Sequence, residues 1–156
     1  MPFKYQKIST VNAMIPLIES MNVSAIARSK RGFLRAYKRL KTPAKMKLTQ
    51  APGSLQSWDQ KRNAFLKRQI AQAKSNGESW WVDGLPTRRH LALIAWAYTP
   101  TPSRLQKYLR GWNDYRAIFP TCRACAHSHF LLCGLVGASY AAFRGYAGID
   151  SCPGKC

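Results

Sequence analysis

The sequence predicts a mainly α-helical protein: a small irregular helical domain with an extended basic linker and a cysteine-rich apolar C-terminal tail. Apolar residues recur at spacings of three and four, and capping residues precede several of these stretches. Hydrophobic residues make up 46% of the chain despite a formal net charge of +19. Because buried apolar surface must offset the entropy lost on folding, this content argues for a folded chain rather than a disordered polycation.

The first two predicted helices each have one apolar face. The first has apolar residues at helical spacing and Pro16 in or near its first turn; these residues are Val11, Met14, Ile15, Ile18 and Met21. Asn22 and Ser24 offer a turn and a cap before a second amphipathic stretch, which we expect to be kinked or interrupted at Gly32. The apolar residues of that stretch are Ile26, Phe33, Leu34, Tyr37 and Leu40, and its other face is basic.

The next part of the chain predicts an extended arm followed by a long helix. Residues 42–54 combine prolines, a glycine, lysines and small residues, which is typical of a linker that lies along a surface. Ser57 then begins a helix, and Gln60 completes a capping box. We expect the apolar residues Trp58, Phe65, Leu66 and Ile70 to face inward and the basic residues Lys61, Arg62, Lys67, Arg68 and Lys74 to face outward.

The most apolar helix comes next. Trp80 and Trp81 lie in a turn, where large indoles usually act as packing anchors. From Thr87 as a cap, the segment Leu91 to Tyr98 is apolar on nearly every face, so we expect it to be the most buried part of the fold. A last helix follows the prolines at 100 and 102. The sequence thus predicts a helical body over residues 1–116 and a tail over residues 117–156.

The charge balance, 25 Lys and Arg against 6 Asp and Glu, predicts a protein that lies against an anionic surface. The candidate binding residues are the basic ones of the predicted helix faces: Arg28, Lys30, Arg31, Arg35, Lys38, Lys61, Arg62, Lys67, Arg68, Arg88 and Arg89. The carboxylates are scattered without a pair at active-site spacing, and a dyad of Cys125 and His127 would lack an orienting partner. The sequence therefore indicates no catalytic residues and no enzyme.

Two more specific interpretations of the basic residues have less support in the sequence than binding through positive charge alone. Arg88, Arg89 and His90 begin a helix, where they either cradle a phosphate or form a solvated first turn; the lack of a glycine-rich loop favours the solvated turn. Residues 17–37 can be threaded onto a helix-turn-helix, but the charged Arg28 falls where an apolar residue is expected. Charge alone is thus the better account of any affinity for DNA.

The tail carries all five cysteines. Cys122 and Cys125 form one close pair and Cys152 and Cys156 another, a set that suits a tetrahedral zinc ion, two disulfides or free thiols. The sequence leaves these three states open. In the zinc or disulfide state the pairs would clamp the intervening apolar segment, with Cys133 as the odd thiol and His127 or His129 as substitute ligands.

The segment between the cysteine pairs, residues 130–149, is apolar apart from Arg144 and rich in small residues. A bilayer span needs about 20 apolar residues, and small residues permit close helix packing. A charged Arg144 and several glycines argue instead for a buried element or a segment at a membrane interface. No cleavable signal peptide is expected at the N-terminus, because residues 11–21 form too short and too interrupted an apolar run.

Three phrases of the sequence resemble a known family: residues 24–38 (SAIARSKRGFLRAYK), 61–68 (KRNAFLKR) and 86–98 (PTRRHLALIAWAY). They are similar to small basic proteins encoded by large double-stranded DNA viruses, especially viruses of algae, over about residues 20–105. The resemblance implies a viral source and a component of the virion. It transfers no catalytic residue, and the cysteine-rich tail lies outside it.

Two functions follow from these expectations. The first is a non-enzymatic virion protein, a minor capsid or internal cement component, which binds acidic partner surfaces through basic helix faces and locks into neighbours with aromatic residues. The second is a nucleic-acid-binding protein that condenses DNA or binds RNA, stabilised by zinc if the tail holds it. Other virion proteins, nucleic acid and an internal membrane are the expected partners, and a small-molecule substrate is not.

Overall fold

The structure, a computed structural model, describes the backbone of residues 3–118 and the side chains of residues 3–111. The mainly helical fold predicted from the sequence is confirmed. The described helices are α1 (Ile8–Ser20), α2 (Ala25–Arg28), α3 (Phe33–Leu40), α4 (Pro43–Leu48), α5 (Trp58–Ser75), α6 (Arg88–Ala95) and α7 (Pro102–Ile118). The strands β1 (Trp81–Val82) and β2 (Leu85–Pro86) form one antiparallel hairpin.

The chain divides into two compact units. Of the described residues, the first unit holds those up to Trp80 together with Thr87–Pro100, and the second holds Trp81–Pro86 and those from Thr101 onward. The division before Thr101 falls within the predicted body of residues 1–116. The tail predictions, residues 117–156 with their cysteines and apolar segment, lie outside the residues that the structure describes, apart from the last two residues of α7.

The core of the first unit is built around α6. Leu91, Leu93 and Ile94 are fully buried, as the all-round apolar pattern predicts. The helix ends at Ala95, and the chain turns sharply because Ala97 adopts a left-handed backbone with φ of 55°. Trp96 is also buried, so the prediction that this segment forms the centre of the core is confirmed.

Helix α1 packs on α6 with the predicted apolar face. Val11, Met14 and Ile18 of that face are buried. The predicted place of Pro16 is wrong, because the helix begins at Ile8 and Pro16 lies in its second half. A proline inside a helix removes one backbone hydrogen bond, and Pro16 is exposed to solvent.

The second amphipathic stretch is broken at Gly32 into the short helix α2 and the helix α3, as predicted. A Cβ atom on Gly32 would stand 2.4 Å from the backbone oxygens of Ile26 and Ala27, so only glycine permits this close approach. Phe33 and Tyr37 are buried as expected. Ile26 is not, because the four-residue helix α2 buries Ala27 instead and leaves the Ile26 side chain 79% exposed.

The predicted extended arm over residues 42–54 is wrong for residues 43–48. Residues 43–48 form α4, which Thr42 caps by accepting a hydrogen bond from the backbone N–H of Lys45. The helix packs against α5 and buries Met46 completely. Pro43 permits this helix because it stands in the first turn, where its missing N–H costs nothing. A single buried methionine among lysines was too weak an apolar pattern to predict the helix.

Helix α5 has the predicted capping box. The Ser57 hydroxyl accepts from the backbone of Gln60, and the Gln60 side chain accepts from the backbone of Ser57. The helix ends at Ser75, with Asn76 as the C-cap and Gly77 in a left-handed backbone with φ of 63°. Trp58 and Leu66 are buried, whereas Phe65 and Ile70 are only half-buried.

The described part of the second unit contains the hairpin and α7. Asp83 and Gly84 connect the strands with positive φ at both positions, which a two-residue hairpin turn favours. Trp81 is buried, and its indole N–H donates to the Thr101 hydroxyl at 2.8 Å. Its role as a packing anchor is therefore confirmed. The guanidinium of Arg104 lies over the Trp81 ring, 4.8 Å from its centroid.

Candidate functional site

A run of sequence without carboxylates supplies the largest group of exposed cations. Between Glu19 and Asp59 there is no acidic residue, and residues 20–58, which we name the acid-free segment, carry nine Lys and Arg. Eight of the nine are exposed: Lys30, Arg31, Arg35, Lys38, Arg39, Lys41, Lys45 and Lys47. The acid-free segment forms α2, α3 and α4, which pack in succession, and α4 packs on α5. Its charge is therefore concentrated on neighbouring elements.

Helix α3 has the clearest division between a buried apolar face and an exposed basic face. One face buries Phe33 and Tyr37, while Arg35 and Lys38 on the other face are exposed. The Tyr37 hydroxyl donates to the backbone oxygen of Gln6, which fixes the buried face. Since the aromatic side anchors the helix, its cations are held in place on the surface of a rigid element.

The candidate cations in and after α2 differ in their exposure to solvent. Lys30 and Arg31 lie exposed in the break before α3. Arg28 is half-buried, and its Nε donates to the backbone oxygen of Val23 at 2.9 Å. Arg28 therefore serves first to hold the turn after α1. The four residues of α2 also exclude a recognition helix, so the helix-turn-helix threading is wrong.

Helix α5 adds exposed cations at Lys67 and Arg68. The guanidinium of Arg68 lies 5.9 Å from the centroid of the Phe65 ring. Lys61 is half-buried, and its ammonium lies 6.0 Å from the centroid of the Trp58 ring. Long basic side chains commonly cover aromatic surface with their methylene groups while the charge stays in water. These residues remain available to an anionic partner.

The prediction that Arg62 lies on the outward face of α5 is wrong, because its side chain is fully buried. All five of its N–H donors are used. The acceptors are the backbone oxygens of Phe3, Lys4, Trp96 and Ala97 and the side-chain oxygen of Asn63, at distances between 2.8 and 3.1 Å. Arg62 therefore has no donor left for an anionic partner, and it joins the N-terminal segment to the end of α6.

The surroundings of Arg62 explain how a buried guanidinium is tolerated. Its Cζ lies 3.7 Å from the centroid of the Tyr5 ring. Burial lowers the pKa of Arg62, and the neighbouring Tyr5 and Asp59 oppose that effect. The Tyr5 hydroxyl donates to Asp59 at 2.9 Å, and burial together with this bond raises the pKa of Tyr5. The carboxylate of Asp59 is thus directed inward and does not neutralise the exposed cations.

Arg88 and Arg89 already have partners within the first unit. Arg89 forms an ion pair with Glu78, and its Nη1 donates to the side chains of Gln69 and Gln72. The hydrogen bond from Arg89, followed by one from Asn76, lowers the pKa of Glu78. The Arg88 guanidinium donates to the backbone oxygen of Met21 at 2.7 Å. These two candidates therefore have mainly structural contacts, although Arg88 is exposed.

His90 fits neither of its predicted roles, since it is fully buried and lies neither in a solvated turn nor in an open cradle. Its Nδ1 is 3.0 Å from the backbone oxygen of Trp80, and its Nε2 is 2.7 Å from the Thr99 hydroxyl. A carbonyl only accepts, so Nδ1 carries a proton and donates it to the Trp80 oxygen. His90 ties the start of α6 to both neighbouring segments.

Described aromatic side chains do not form the exposed anchors that were expected to lock into neighbours. Phe33, Trp58, Trp81 and Trp96 are buried, and Trp80 is half-buried against the edge of the His90 ring, with a centroid distance of 6.1 Å. Large exposed hydrophobic residues in the described part of the chain are all aliphatic. These residues therefore lend no support to the aromatic part of the predicted interface, which stays a prediction.

The described side chains add no metal centre to this surface. Within residues 3–111 no group of three or more His, Cys, Asp or Glu stands ready to hold a metal ion. The predicted zinc or disulfide residues, Cys122, Cys125, Cys152 and Cys156, lie outside the described residues, as does the segment 130–149. None of the described helices is long and apolar enough to cross a membrane.

Sequence reasoning missed two features of the site. The exposed cations Arg39, Lys41, Lys45 and Lys47 were left out of the candidate set, although the absence of acids between Glu19 and Asp59 pointed to them. The buried place of Arg62 also had a signal, because it lies four residues from both Trp58 and Leu66, on the apolar stripe of the helix.

Comparisons with protein families, with curated proteins and with solved structures found no match to this chain. The resemblance noted in the sequence therefore gains no support from them.

Proposed function

We propose that this chain is a non-enzymatic structural protein that binds nucleic acid by its phosphate backbone, as an internal component of a virion. The observation that carries the binding is the acid-free segment, with eight exposed cations and no carboxylate between Glu19 and Asp59. Among the described side chains, the single ion pair is formed by Arg89 and Glu78, outside this segment. Within residues 3–111 its cations therefore lack protein counter-charges, and they attract anions from solution.

Binding of this kind recognises the charge of the nucleic-acid backbone and does not depend on the base sequence. The acid-free segment offers no long recognition helix, since α2 has four residues, α3 has eight and α4 has six. It offers no exposed aromatic ring in residues 3–111 on which single-stranded bases would stack. Release of counterions from phosphates is then the main source of affinity, so affinity falls steeply with salt.

The virion setting is supported by the three phrases that resemble proteins of large DNA viruses. A minor capsid or cement protein that holds acidic virion proteins is the second candidate, since the same cations suit acidic protein surfaces. Salt-washed particles separate the two: weak duplex binding together with retention of the chain on the particle would favour the protein partner. Fractionation into capsid, membrane and core, followed by mass spectrometry, would place the chain directly.

The binding test compares two variants of equal net charge. One reverses four cations of the acid-free segment: Arg35→Glu, Lys38→Glu, Arg39→Glu and Lys45→Glu. The control reverses four exposed cations elsewhere: Lys7→Glu, Lys74→Glu, Lys107→Glu and Arg110→Glu. Affinity for a duplex of random sequence is measured by fluorescence anisotropy over a series of salt concentrations. Far-UV circular dichroism checks that both variants keep their helical content.

Wild-type affinity should fall by about 10³-fold or more between roughly 50 and 200 mM salt if six or more phosphates are contacted. The segment variant should lose most of the affinity and show a smaller salt slope, while the control retains most of both. Equal losses in the two variants would show that net charge rather than this surface is responsible. Affinity that salt leaves unchanged would overturn phosphate binding altogether.

A further inference from the structure

Three large aliphatic side chains of the first unit lie almost fully in water. Ile26 is 79% exposed, Leu48 is 86% exposed and Leu55 is 93% exposed. All three belong to the acid-free segment, and the fourth such residue of the described chain, Val82, lies in the second unit. Single exposed leucines are ordinary. Their concentration on the most basic and acid-free part of the sequence is the feature that calls for an explanation.

Leu55 follows a preorganised turn. Ser54 donates its backbone N–H to the oxygen of Ala51 at 3.1 Å, and Pro52 and Gly53 occupy the two central positions. Gly53 has φ of 69°, as a type II turn requires at that position. The Ser54 hydroxyl accepts from the backbone of Gln56 at 3.1 Å. This turn holds the chain in one conformation before any partner binds, which lowers the entropic cost of binding there.

Leu48 lies at the other end of the same short ladder. Thr49 accepts from Trp58, Gln50 and Ser57 form an antiparallel bridge, and Ala51 donates to Gln56. Leu48 comes directly before this ladder and Leu55 directly before its returning strand, so the two leucines flank the same ladder. Exposed Lys45 and Lys47 precede Leu48 in α4. Apolar and cationic groups thus stand together.

Charge decides which partner suits this surface. A second copy of the chain would bring the same cations against themselves, with no carboxylate in either segment to neutralise them. Nucleic acid satisfies the cations but offers no apolar phase for Leu48 and Leu55. An acidic bilayer satisfies both, because anionic headgroups attract Lys and Arg while the acyl boundary accepts aliphatic side chains without a preformed pocket.

We propose that the acid-free segment docks on an acidic lipid bilayer, with Leu48 and Leu55 entering the boundary between headgroups and acyl chains. The arrangement is peripheral and uses residues of the helical body, not the apolar segment 130–149. It goes beyond nucleic-acid binding and does not depend on it. Leucine insertion and lysine attraction act together, so salt weakens this binding without removing all of it.

The experiment is vesicle flotation with the full chain. Vesicles of phosphatidylcholine alone are compared with vesicles in which about a third of the lipid is phosphatidylserine, a strongly anionic surface. The variant Leu48→Ser, Leu55→Ser removes the aliphatic groups. The control Gln50→Ser, Gln56→Ser changes two exposed polar residues of the same ladder. Leu55→Phe serves as a second test, because a larger apolar side chain should strengthen binding. Duplex binding is measured in parallel for every variant.

Wild type should float with acidic vesicles and far less with neutral ones. The double leucine variant should bind acidic vesicles about tenfold more weakly or worse, while the glutamine control and Leu55→Phe keep or exceed wild-type binding. Duplex affinity should be unchanged by the leucine substitutions, so loss of vesicle binding would not affect the nucleic-acid proposal. Equal binding to neutral vesicles, or full binding by the double leucine variant, would overturn this inference. Sedimentation of wild type as a dimer through Leu48 and Leu55 would overturn it in favour of a second copy.

Discussion

At the scale of single residues, Arg62 shows how a cation becomes part of the core. It donates to four backbone oxygens and to Asn63, and it stacks on Tyr5. Replacing it would leave the buried backbone oxygen of Trp96 without this donor, and an unsatisfied buried polar group costs about 1–3 kcal/mol. The Ala97 oxygen would keep its hydrogen bond from the backbone N–H of Gln6. The N-terminal segment would also lose the contacts that hold Phe3 and Lys4 in place.

We therefore expect Arg62→Met to lower the free energy of unfolding by about 2–4 kcal/mol, because hydrogen bonds from a charged donor are lost and a buried carbonyl is left without one. Urea unfolding followed by circular dichroism measures it. Arg68→Met is the matched control on the same helix, exposed to solvent, and should change stability by less than about 0.5 kcal/mol. Similar effects of the two substitutions would show that the Arg62 contacts contribute little.

Trp96 is the second residue with a large expected effect. Its ring stacks on Phe33 at a centroid distance of 5.0 Å and on Phe65 at 4.9 Å. Trp96→Ala should destabilise the protein by about 3–5 kcal/mol because the truncation leaves a cavity between these rings. Thermal or urea unfolding provides the measurement. Leu55→Ala, at an exposed position, serves as the control, and an unfolding midpoint close to wild type for Trp96→Ala would contradict the assigned core.

At the scale of elements, the break between α2 and α3 depends on Gly32. Gly32→Ala would push a Cβ atom to 2.4 Å from two backbone oxygens, and backbone gives way less easily than a side-chain tip. We expect a loss of about 1–3 kcal/mol, as for other overpacked sites. Gly111 in α7 has open space around its Cα, so Gly111→Ala should stabilise by about 0.5–1 kcal/mol through helix propensity.

Opposite signs for these two glycine substitutions are the decisive observation. If both stabilised the protein in urea unfolding, the close approach at Gly32 would not constrain the chain. If both destabilised it, the environment assigned to Gly111 would be wrong.

At the scale of the whole molecule, like charges oppose folding. The net charge is +19, and eight exposed cations crowd the acid-free segment. Salt shortens the Debye length from about 30 Å at 0.01 M to about 10 Å at 0.1 M, which screens this repulsion. The unfolding midpoint should therefore rise as sodium chloride is added without any ligand. The variant with four reversed cations in the segment should show a smaller rise, whereas a midpoint that falls with salt would contradict the repulsion.

A prediction about the cysteines of residues 117–156 concerns the part of the chain outside the described residues. We propose that Cys122, Cys125, Cys152 and Cys156 come together as a zinc site or as two disulfides, and the measurement distinguishes these states. One zinc per chain by elemental analysis, lost when Cys122→Ser is introduced, would show the metal. Absence of zinc with a mass lower by about four hydrogens would show two disulfides. Five alkylatable thiols without denaturant would contradict both.

Element prediction succeeded where local chemistry and periodicity agreed. The capping box of Ser57 and Gln60 and the buried run in α6 were read from the sequence because each rests on residues a few positions apart. Prediction failed for α4, where Met46 is the single buried residue and lysines surround it. It also failed for Ile26, because the four-residue helix α2 buries Ala27 instead.

For the candidate site, the sequence by itself determined the excess of cations and the absence of acids from residues 20–58, because composition does not depend on the fold. Only the tertiary structure decided which cations reach a partner. Arg62 became the buried centre of a hydrogen-bond network and Arg89 an ion-pair partner, while Arg35 and Lys38 stayed in water. The reason is physical: a guanidinium is buried only where distant backbone oxygens converge on it, and such convergence arises from chain packing rather than from local sequence.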